Sequence, residues 1–255
     1  MKYIRREVLG RKLVTGTWCN LGSSVTAEVA GLSGFDWVLL DMEHGLGDFS
    51  HLVPQLQAMA ATPAAPVVRI TQSDVGAIKR VLDMGASGVM VPFVNTAAEA
   101  KQVVSAMRYP PAGIRGAARF TRAASFGQEF DAYTRGANEN LLTIVQIETQ
   151  QAVDAADAIA AVDGVDVLFV GPTDLSTNLG IPLKLDDPRF REAVKKVVAA
   201  AHGRGKAAGI LLAQVAQIEQ AVADGFTFIA LGSDGGMVAA GMKAASEALN
   251  KWKKP

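Results

Sequence analysis

Short apolar runs alternate with amphipathic stretches along the whole chain, and this alternation predicts eight repeats of a strand followed by a helix. The predicted strands span residues 15–20, 36–43, 66–70, 88–93, 141–148, 165–171, 207–212 and 226–232. Trp37-Val38-Leu39-Leu40 shows the type: too short for a helix, and bulky enough for a strand buried on both faces. The predicted helices span 25–32, 52–61, 75–84, 97–107, 152–161, 190–202, 215–223 and 237–249, and Ile78, Val81 and Leu82 carry the spacing of one buried helical face. Eight such units joined by right-handed crossovers close into a (β/α)8 barrel. A doubly wound open sheet is the competing arrangement, but the glycine-rich turn after its first strand is absent. No linker or low-complexity stretch divides the chain, so a single α/β barrel domain over residues 1–255 is expected. One connection, 108–140, is long enough to expect a functional role for it. The tail 250–255, with Trp252 among lysines, is expected to seal a subunit contact.

Composition narrows the class. At 255 residues the chain has the usual size of one such barrel. A formal net charge of zero with 20% charged residues offers no electrostatic footprint for nucleic acid or an anionic membrane. No apolar run approaches a membrane span, and no signal-peptide core follows the basic start Lys2-Tyr3-Ile4-Arg5-Arg6. The single cysteine, Cys19, excludes an internal disulfide, and a cytoplasmic protein is expected.

In a (β/α)8 barrel all eight strands end at one mouth, where chemistry gathers. The predicted strand ends present Trp18, then Glu43 and His44, then Arg69, Pro92 and Phe93, then Gln146 and Glu148. The later ones present Gly171-Pro172-Thr173-Asp174, then Leu211, then Ser233-Asp234. Glu148 and Asp174 are two carboxylates from neighbouring strands. Like charges in one pocket repel unless a cation lies between them, and oxygen ligands with open positions suit Mg²⁺, Mn²⁺ or Co²⁺. The same two acids would also serve as caps at helix starts. Arg69 is expensive inside a barrel unless it meets an anion, either a substrate oxygen or the carboxylates of Asp41 and Glu43. His44 is the one histidine at a strand end and is the candidate general base; a backbone-bonded structural histidine is its other reading. No lysine falls inside the predicted mouth, which excludes Schiff-base chemistry there.

These residues sit within Gly16-Thr17-Trp18, Asp41-Met42-Glu43-His44-Gly45, Val68-Arg69, Leu82-Asp83-Met84-Gly85-Ala86 and Gly88-Val89-Met90-Val91-Pro92. They continue in Gly113-Ile114-Arg115-Gly116, Gln146-Ile147-Glu148-Thr149 and Gly171-Pro172-Thr173-Asp174-Leu175-Ser176. In this order, and over nearly the whole chain, the set resembles the metal-dependent (class II) pyruvate aldolases of the HpcH/HpaI family. The resemblance implies a barrel of the phosphoenolpyruvate/pyruvate type, assembled as a homohexamer (a trimer of dimers) with exchanged C-terminal helices. It implies reversible retro-aldol cleavage of a 4-hydroxy-2-oxo acid to pyruvate and an aldehyde. It further implies a divalent metal on Glu148 and Asp174, with Gln146 and the backbone around Thr173 holding the substrate and Leu211 lining the pocket. His44 becomes the proton-transfer base, Arg69 stabilises the enolate oxygen, and Asp83 raises the basicity of His44.

Asp83 poses a geometric difficulty. It lies just before Gly85 at the end of a predicted helix, which places it at the far end of its own barrel. A bound water, a kink or a neighbouring subunit is then needed to couple it to His44. Two other functions remain open from sequence. One is a metal-dependent acyl-CoA lyase of the citrate-lyase type, with Arg115, Arg119 and Arg122 forming a nucleotide groove. The other is a non-catalytic barrel that binds oxo acids.

Overall fold

The computed structural model describes residues 2–253; Met1, and Lys254 and Pro255 at the end of the predicted tail, lie outside the described residues. Eight parallel strands close into a barrel in sequence order: β1 (Val14–Cys19), β2 (Trp37–Asp41), β3 (Ala65–Arg69), β4 (Gly88–Val91), β5 (Leu142–Ile147), β6 (Val167–Val170), β7 (Ala207–Leu212) and β8 (Phe228–Ser233), with β8 pairing back onto β1. The expected (β/α)8 fold is what the chain adopts. Around it run α1 (Arg5–Leu9), α2 (Ser24–Leu32), α3 (Phe49–Ala60), α4 (Val75–Met84), α5 (Ala97–Met107) and α6 (Phe130–Asn140). They are followed by α7 (Gln150–Asp154), α8 (Ala156–Ala160), α9 (Pro172–Asn178), α10 (Pro188–Gly203), α11 (Ile218–Ala223) and α12 (Asp234–Asn250). Among the described residues no helix is long and apolar enough to cross a membrane.

Two apolar shells hold the barrel. Inside it, Trp18, Trp37, Phe169 and Phe228 fill the lumen, with Trp37 and Phe228 stacked at 4.1 Å between ring centroids. Outside it, strand residues such as Val38, Leu40 and Val68 pack on Leu52, Leu56, Ile78 and Val81 of the helices. Strands buried on both faces explain the near-continuous apolar runs of the sequence. At the N-terminal end, Arg5 of α1 donates from Nε to both oxygens of the buried Asp166, at 3.0 and 2.9 Å.

Three departures from the sequence pattern concern the site. β2 ends at Asp41, two residues early, because the amides of Glu43 and His44 turn back onto Asp41 Oδ1 at 3.0 and 3.4 Å. The connection 108–140 is not bare: it holds a 3-10 segment (Arg122–Gly127) and α6, whose buried face is only Tyr133 and Ala137. So thin an apolar stripe leaves little periodicity to read. The last helix, α12, buries only Asp234 in its first turn. There Asp234 accepts from the Asn20 amide (2.8 Å) and Thr26 Oγ1 (2.6 Å), and the rest of α12 leaves the barrel exposed.

Candidate active site

The register between β2 and β3 sets Asp41 directly beside Arg69. Arg69 Nε and Nη2 donate to the two Asp41 oxygens at 2.9 and 2.7 Å, and Nη1 lies 2.9 Å from Glu43 Oε2 in an ion-pair contact not aligned as a hydrogen bond. The guanidinium also lies 5.6 Å from the Trp18 ring centroid. Burial works against its charge, but the Asp41 bond and the charges of Asp41, Glu43 and Glu148 outweigh it and hold its pKa above the ordinary arginine value. Arg69 therefore sits in the mouth, clamped by both carboxylates named for it. Asp41 has a second task besides pairing with Arg69: by accepting from the Glu43 and His44 amides it shapes the turn that presents the imidazole. Gly45 completes this turn because a Cβ there would stand 2.0 Å from the Asp41 carbonyl oxygen.

Glu148 follows β5 and is 1% exposed. Its Oε1 accepts from Gln146 Nε2 at 2.9 Å and its Oε2 from the Phe93 amide at 3.0 Å. Phe93 holds a left-handed φ of 50° to aim that amide inward, a conformation unfavourable for a bulky residue. The cap of α7 is Thr149, which accepts from the Ala152 amide, so Glu148 is not a helix cap. Burial pushes the Glu148 carboxyl up to about 7; the Phe93 amide opposes this, while Asp174 and Glu43 reinforce it. Burial likewise raises Glu43, with Arg69 and His44 opposing and Asp41 and Asp174 reinforcing. Gly171 lies against Glu148, where a Cβ would stand 2.4 Å from Oε1. Asp174 is in the first turn of α9, beyond Pro172.

A cavity of about 230 Å3 brings together His44, Arg69, Gln146, Glu148, Thr173, Asp174 and Leu211 over a floor of Trp18 and Phe169. Seven of the eight residues proposed from sequence thus share one pocket. The His44 ring has its nearest charged neighbour in Glu43, at 4.0 Å, and its side chain is 66% exposed, so it faces the mouth rather than a backbone partner. Gln146 Oε1 is buried without a hydrogen-bond partner. Asp41, Glu43 and Glu148 act on one guanidinium while Asp174 acts on Glu148 and Glu43, a charge balance that favours a cation. Among the described residues no three His, Cys, Asp or Glu side chains form a metal cage by themselves.

Asp83 is the eighth, and within this chain it is not part of the mouth. It lies in the last turn of α4, which runs back toward the N-terminal end of the barrel. Its Oδ1 accepts from Arg115 Nη2 at 2.8 Å. Arg115 is 1% exposed, also donates to Tyr133 Oη at 2.9 Å, and lies 4.5 Å from the Tyr109 ring centroid. Asp83 thus anchors the long connection. Arg122 is at the same far end, donating to the Met84 and Leu56 carbonyls at 2.8 and 3.1 Å. Arg115 and Arg122 therefore form no nucleotide groove beside this mouth.

Fold and site together define a (β/α)8 enzyme whose acid–base groups and single guanidinium converge where the strands end. The chain belongs to the HpcH/HpaI aldolase/citrate lyase family, whose model matches residues 14–240, and it is an enzyme of the carbon–carbon lyase class. It is 41% identical over 247 residues to 5-keto-4-deoxy-D-glucarate aldolase of Shigella dysenteriae, covering 97% of this chain and 96% of the relative. Among solved structures it is similar to an HpcH/HpaI aldolase/citrate lyase family protein from Burkholderia cenocepacia, with TM-score 0.93, 35% identity, and 97% and 98% of the two chains covered. It is also similar to the HpcH/HpaI aldolase from Desulfitobacterium hafniense, with TM-score 0.89, 28% identity, and 100% and 98% covered. The family resemblance read from the sequence motifs is borne out.

Proposed function

We propose that the chain is a divalent-metal-dependent aldolase that reversibly cleaves a 4-hydroxy-2-oxo acid into pyruvate and an aldehyde. The observation that carries this reading is the buried, raised carboxyl of Glu148 facing Asp174 in a pocket shared with His44 and Arg69. The donor set fits a hard dication: carboxylate oxygens in excess of cations, and the orphaned Gln146 Oε1 beside them. Glu148 and Asp174 would hold the ion, leaving positions for substrate and water. When bound, a dication supplies positive charge at the carboxylate and keto oxygen of the pyruvate unit.

The chain's own residues do the rest. Pro172 has no amide hydrogen, so the first donor at the start of α9 is the Thr173 amide, which with Gln146 orients the substrate carboxylate. Arg69, held rigid by Asp41, meets the negative charge that develops on the keto oxygen as the C3–C4 bond breaks. His44 takes the proton of the C4 hydroxyl as the aldehyde forms, and proton return to C3 completes pyruvate. In reverse, a base removes a methyl proton and the carbon–carbon bond forms. Any influence of Asp83 on His44 comes from a neighbouring copy.

Deuterium exchange into the pyruvate methyl group, followed by NMR with Mg²⁺ or Mn²⁺ and then with excess chelator, tests this directly. Metal-dependent exchange is expected, and His44→Ala is expected to slow it roughly 10²–10⁴-fold. Full exchange in the presence of chelator, or in His44→Ala, would overturn the reading. 5-Keto-4-deoxy-D-glucarate, which gives the Shigella relative its name, is the first cleavage substrate to try.

The homohexamer with exchanged C-terminal helices belongs to the same proposal. What supports it is that Met237, Val238, Met242 and Leu249 of α12 are exposed, as are Val25, Val29 and Leu32 on the outer face of α2. An α12 from a second copy would cover that face. Light scattering is expected to report a hexamer, and Met242→Lys with Leu249→Lys should lower the assembled mass. A monomer in the unmodified protein would exclude exchange. A cytoplasmic setting fits the buried free thiol of Cys19, whose pKa burial and Asp234 push up to about 12.

A further inference from the structure

The Phe93 amide reaches Glu148 Oε2 from a backbone conformation that a bulky residue leaves unless it is held there. The Phe93 ring does not hold it, being half-exposed rather than packed in the core. The constraint lies in the next peptide. Its N–H, on Val94, donates to the Gln146 carbonyl at 3.3 Å, and its carbonyl, on Phe93, accepts from Asn95 Nδ2 at 2.9 Å. Asn95 Oδ1 accepts in turn from Thr149 Oγ1, the hydroxyl of the residue after Glu148. Thr149 Oγ1 also accepts from the Ala152 amide at 3.0 Å, which leaves its one hydrogen for Asn95.

Asn95 is itself fixed. Its amide and that of Thr96 both donate to Glu99 Oε2, at 2.7 and 2.9 Å, and Thr96 Oγ1 accepts from the Glu99 amide at 3.2 Å, which caps α5. A short carboxamide suits the place, since it offers a donor to one carbonyl and an acceptor to one hydroxyl on two adjacent loops. Beyond Thr149, Gln150 donates its amide to Asn178 Oδ1 at 2.8 Å, at the end of α9, whose first turn carries Asp174. Two asparagines thus join the segments that follow β4, β5 and β6. Asn95 itself lines no part of the catalytic cavity.

We propose that Asn95 is a positioning residue for the metal site: by holding Phe93 turned, it keeps the Phe93 amide on Glu148 Oε2 and so sets the affinity for a dication. The inference rests on the reading of Glu148 and Asp174 as metal ligands. Two donors orient the Glu148 carboxylate, Gln146 Nε2 on one oxygen and the Phe93 amide on the other. Without the Asn95 clamp, Phe93 relaxes toward an ordinary negative φ and its amide turns away. Oε2 then loses its donor in a buried site, and the carboxylate is no longer held in one orientation. Losing a partner that orients a metal ligand typically costs roughly 10–100-fold in affinity.

Calorimetry of Mn²⁺ binding to the full chain is the test, with pyruvate methyl exchange measured on the same samples. Asn95→Ala is expected to weaken Mn²⁺ binding roughly 10–100-fold, while exchange at saturating Mn²⁺ falls by no more than about threefold. Phe93→Gly added to Asn95→Ala is the deciding variant. Glycine takes a positive φ without a steric penalty, so the amide can meet Glu148 unclamped, and most of the lost affinity is expected to return. A merely structural role for Asn95 gives no such recovery. Three results overturn the proposal while leaving the metal reading intact: Mn²⁺ affinity unchanged in Asn95→Ala, a loss that Phe93→Gly does not recover, or an exchange defect that saturating Mn²⁺ does not restore. An unmodified protein that binds no Mn²⁺, or exchanges fully in chelator, overturns the aldolase reading and this proposal with it.

Discussion

Glu148→Gln is expected to abolish metal-dependent pyruvate exchange, by roughly 10³-fold or more, while making the metal-free protein more stable at pH 8. The two effects share one cause. Glu148 is buried beside Asp174 and Glu43, and its carboxyl is pushed up to about 7, whereas in the unfolded chain it ionises in the ordinary glutamate range. Between roughly pH 4.5 and 7 the folded protein therefore binds the extra proton, and its stability falls as pH rises through that window. Above it the full penalty stands, about 3 kcal/mol; below it there is none. Glutamine removes the charge and keeps an acceptor for the Phe93 amide. Gln146 can turn its orphaned Oε1 to receive the introduced amide hydrogen. Denaturant unfolding with chelator should show the variant gaining about 2–3 kcal/mol at pH 8 and little near pH 4.5. Calorimetry of Mn²⁺ binding to the unmodified protein should show weaker binding at pH 6 than at pH 8, with a proton released. Retained metal affinity in the variant, with no pH-dependent gain, would remove Glu148 from the metal site.

Arg69→Met is expected to cost both rate and fold, about 3–5 kcal/mol in stability and roughly 10²–10⁴-fold in exchange. Its guanidinium is buried with Asp41 and in contact with Glu43, so truncation strands two carboxylates without a counterion. The turn that presents His44 depends on Asp41 being held in place, so the base is disturbed as well. The stability loss has a sign in pH. With Arg69 gone, Glu43 loses the charge that opposes its burial and is raised further, so it takes up a proton more readily and the deficit should shrink from pH 8 to pH 5. Arg69→Lys separates the two roles: it keeps a positive charge but not the planar fork that spans Asp41, and should recover stability more than rate. A variant with full stability and slowed exchange would show that Arg69 serves only the reaction. A variant with normal exchange would leave it a purely structural clamp.

Much of this site is legible in the string of residues because a barrel buries its strands on both faces. That makes each strand a short apolar run, and the first ionisable groups after each run mark the mouth, which is how His44, Arg69, Glu148 and Asp174 stand out. Helices were legible where their buried stripe is broad, as in α4 and α5, whose bounds match the pattern to the residue. They were hidden where it narrows to two residues, as in α6. Periodicity is local and reports only that a face is buried, never against what. The sequence by itself thus determined the eightfold repeat, the closed barrel it implies, and the residue types gathered at its mouth. Only the tertiary structure decided that Asp41 stands beside Arg69, which is a matter of strand register, and that Asp83 binds Arg115 rather than meeting its own His44. It alone decided that α12 leaves the barrel and that Leu183 and Leu185, after β6, share a cavity with Leu211 and Leu212 of β7 and Leu231 of β8, since both depend on how segments far apart in sequence meet once the barrel has closed.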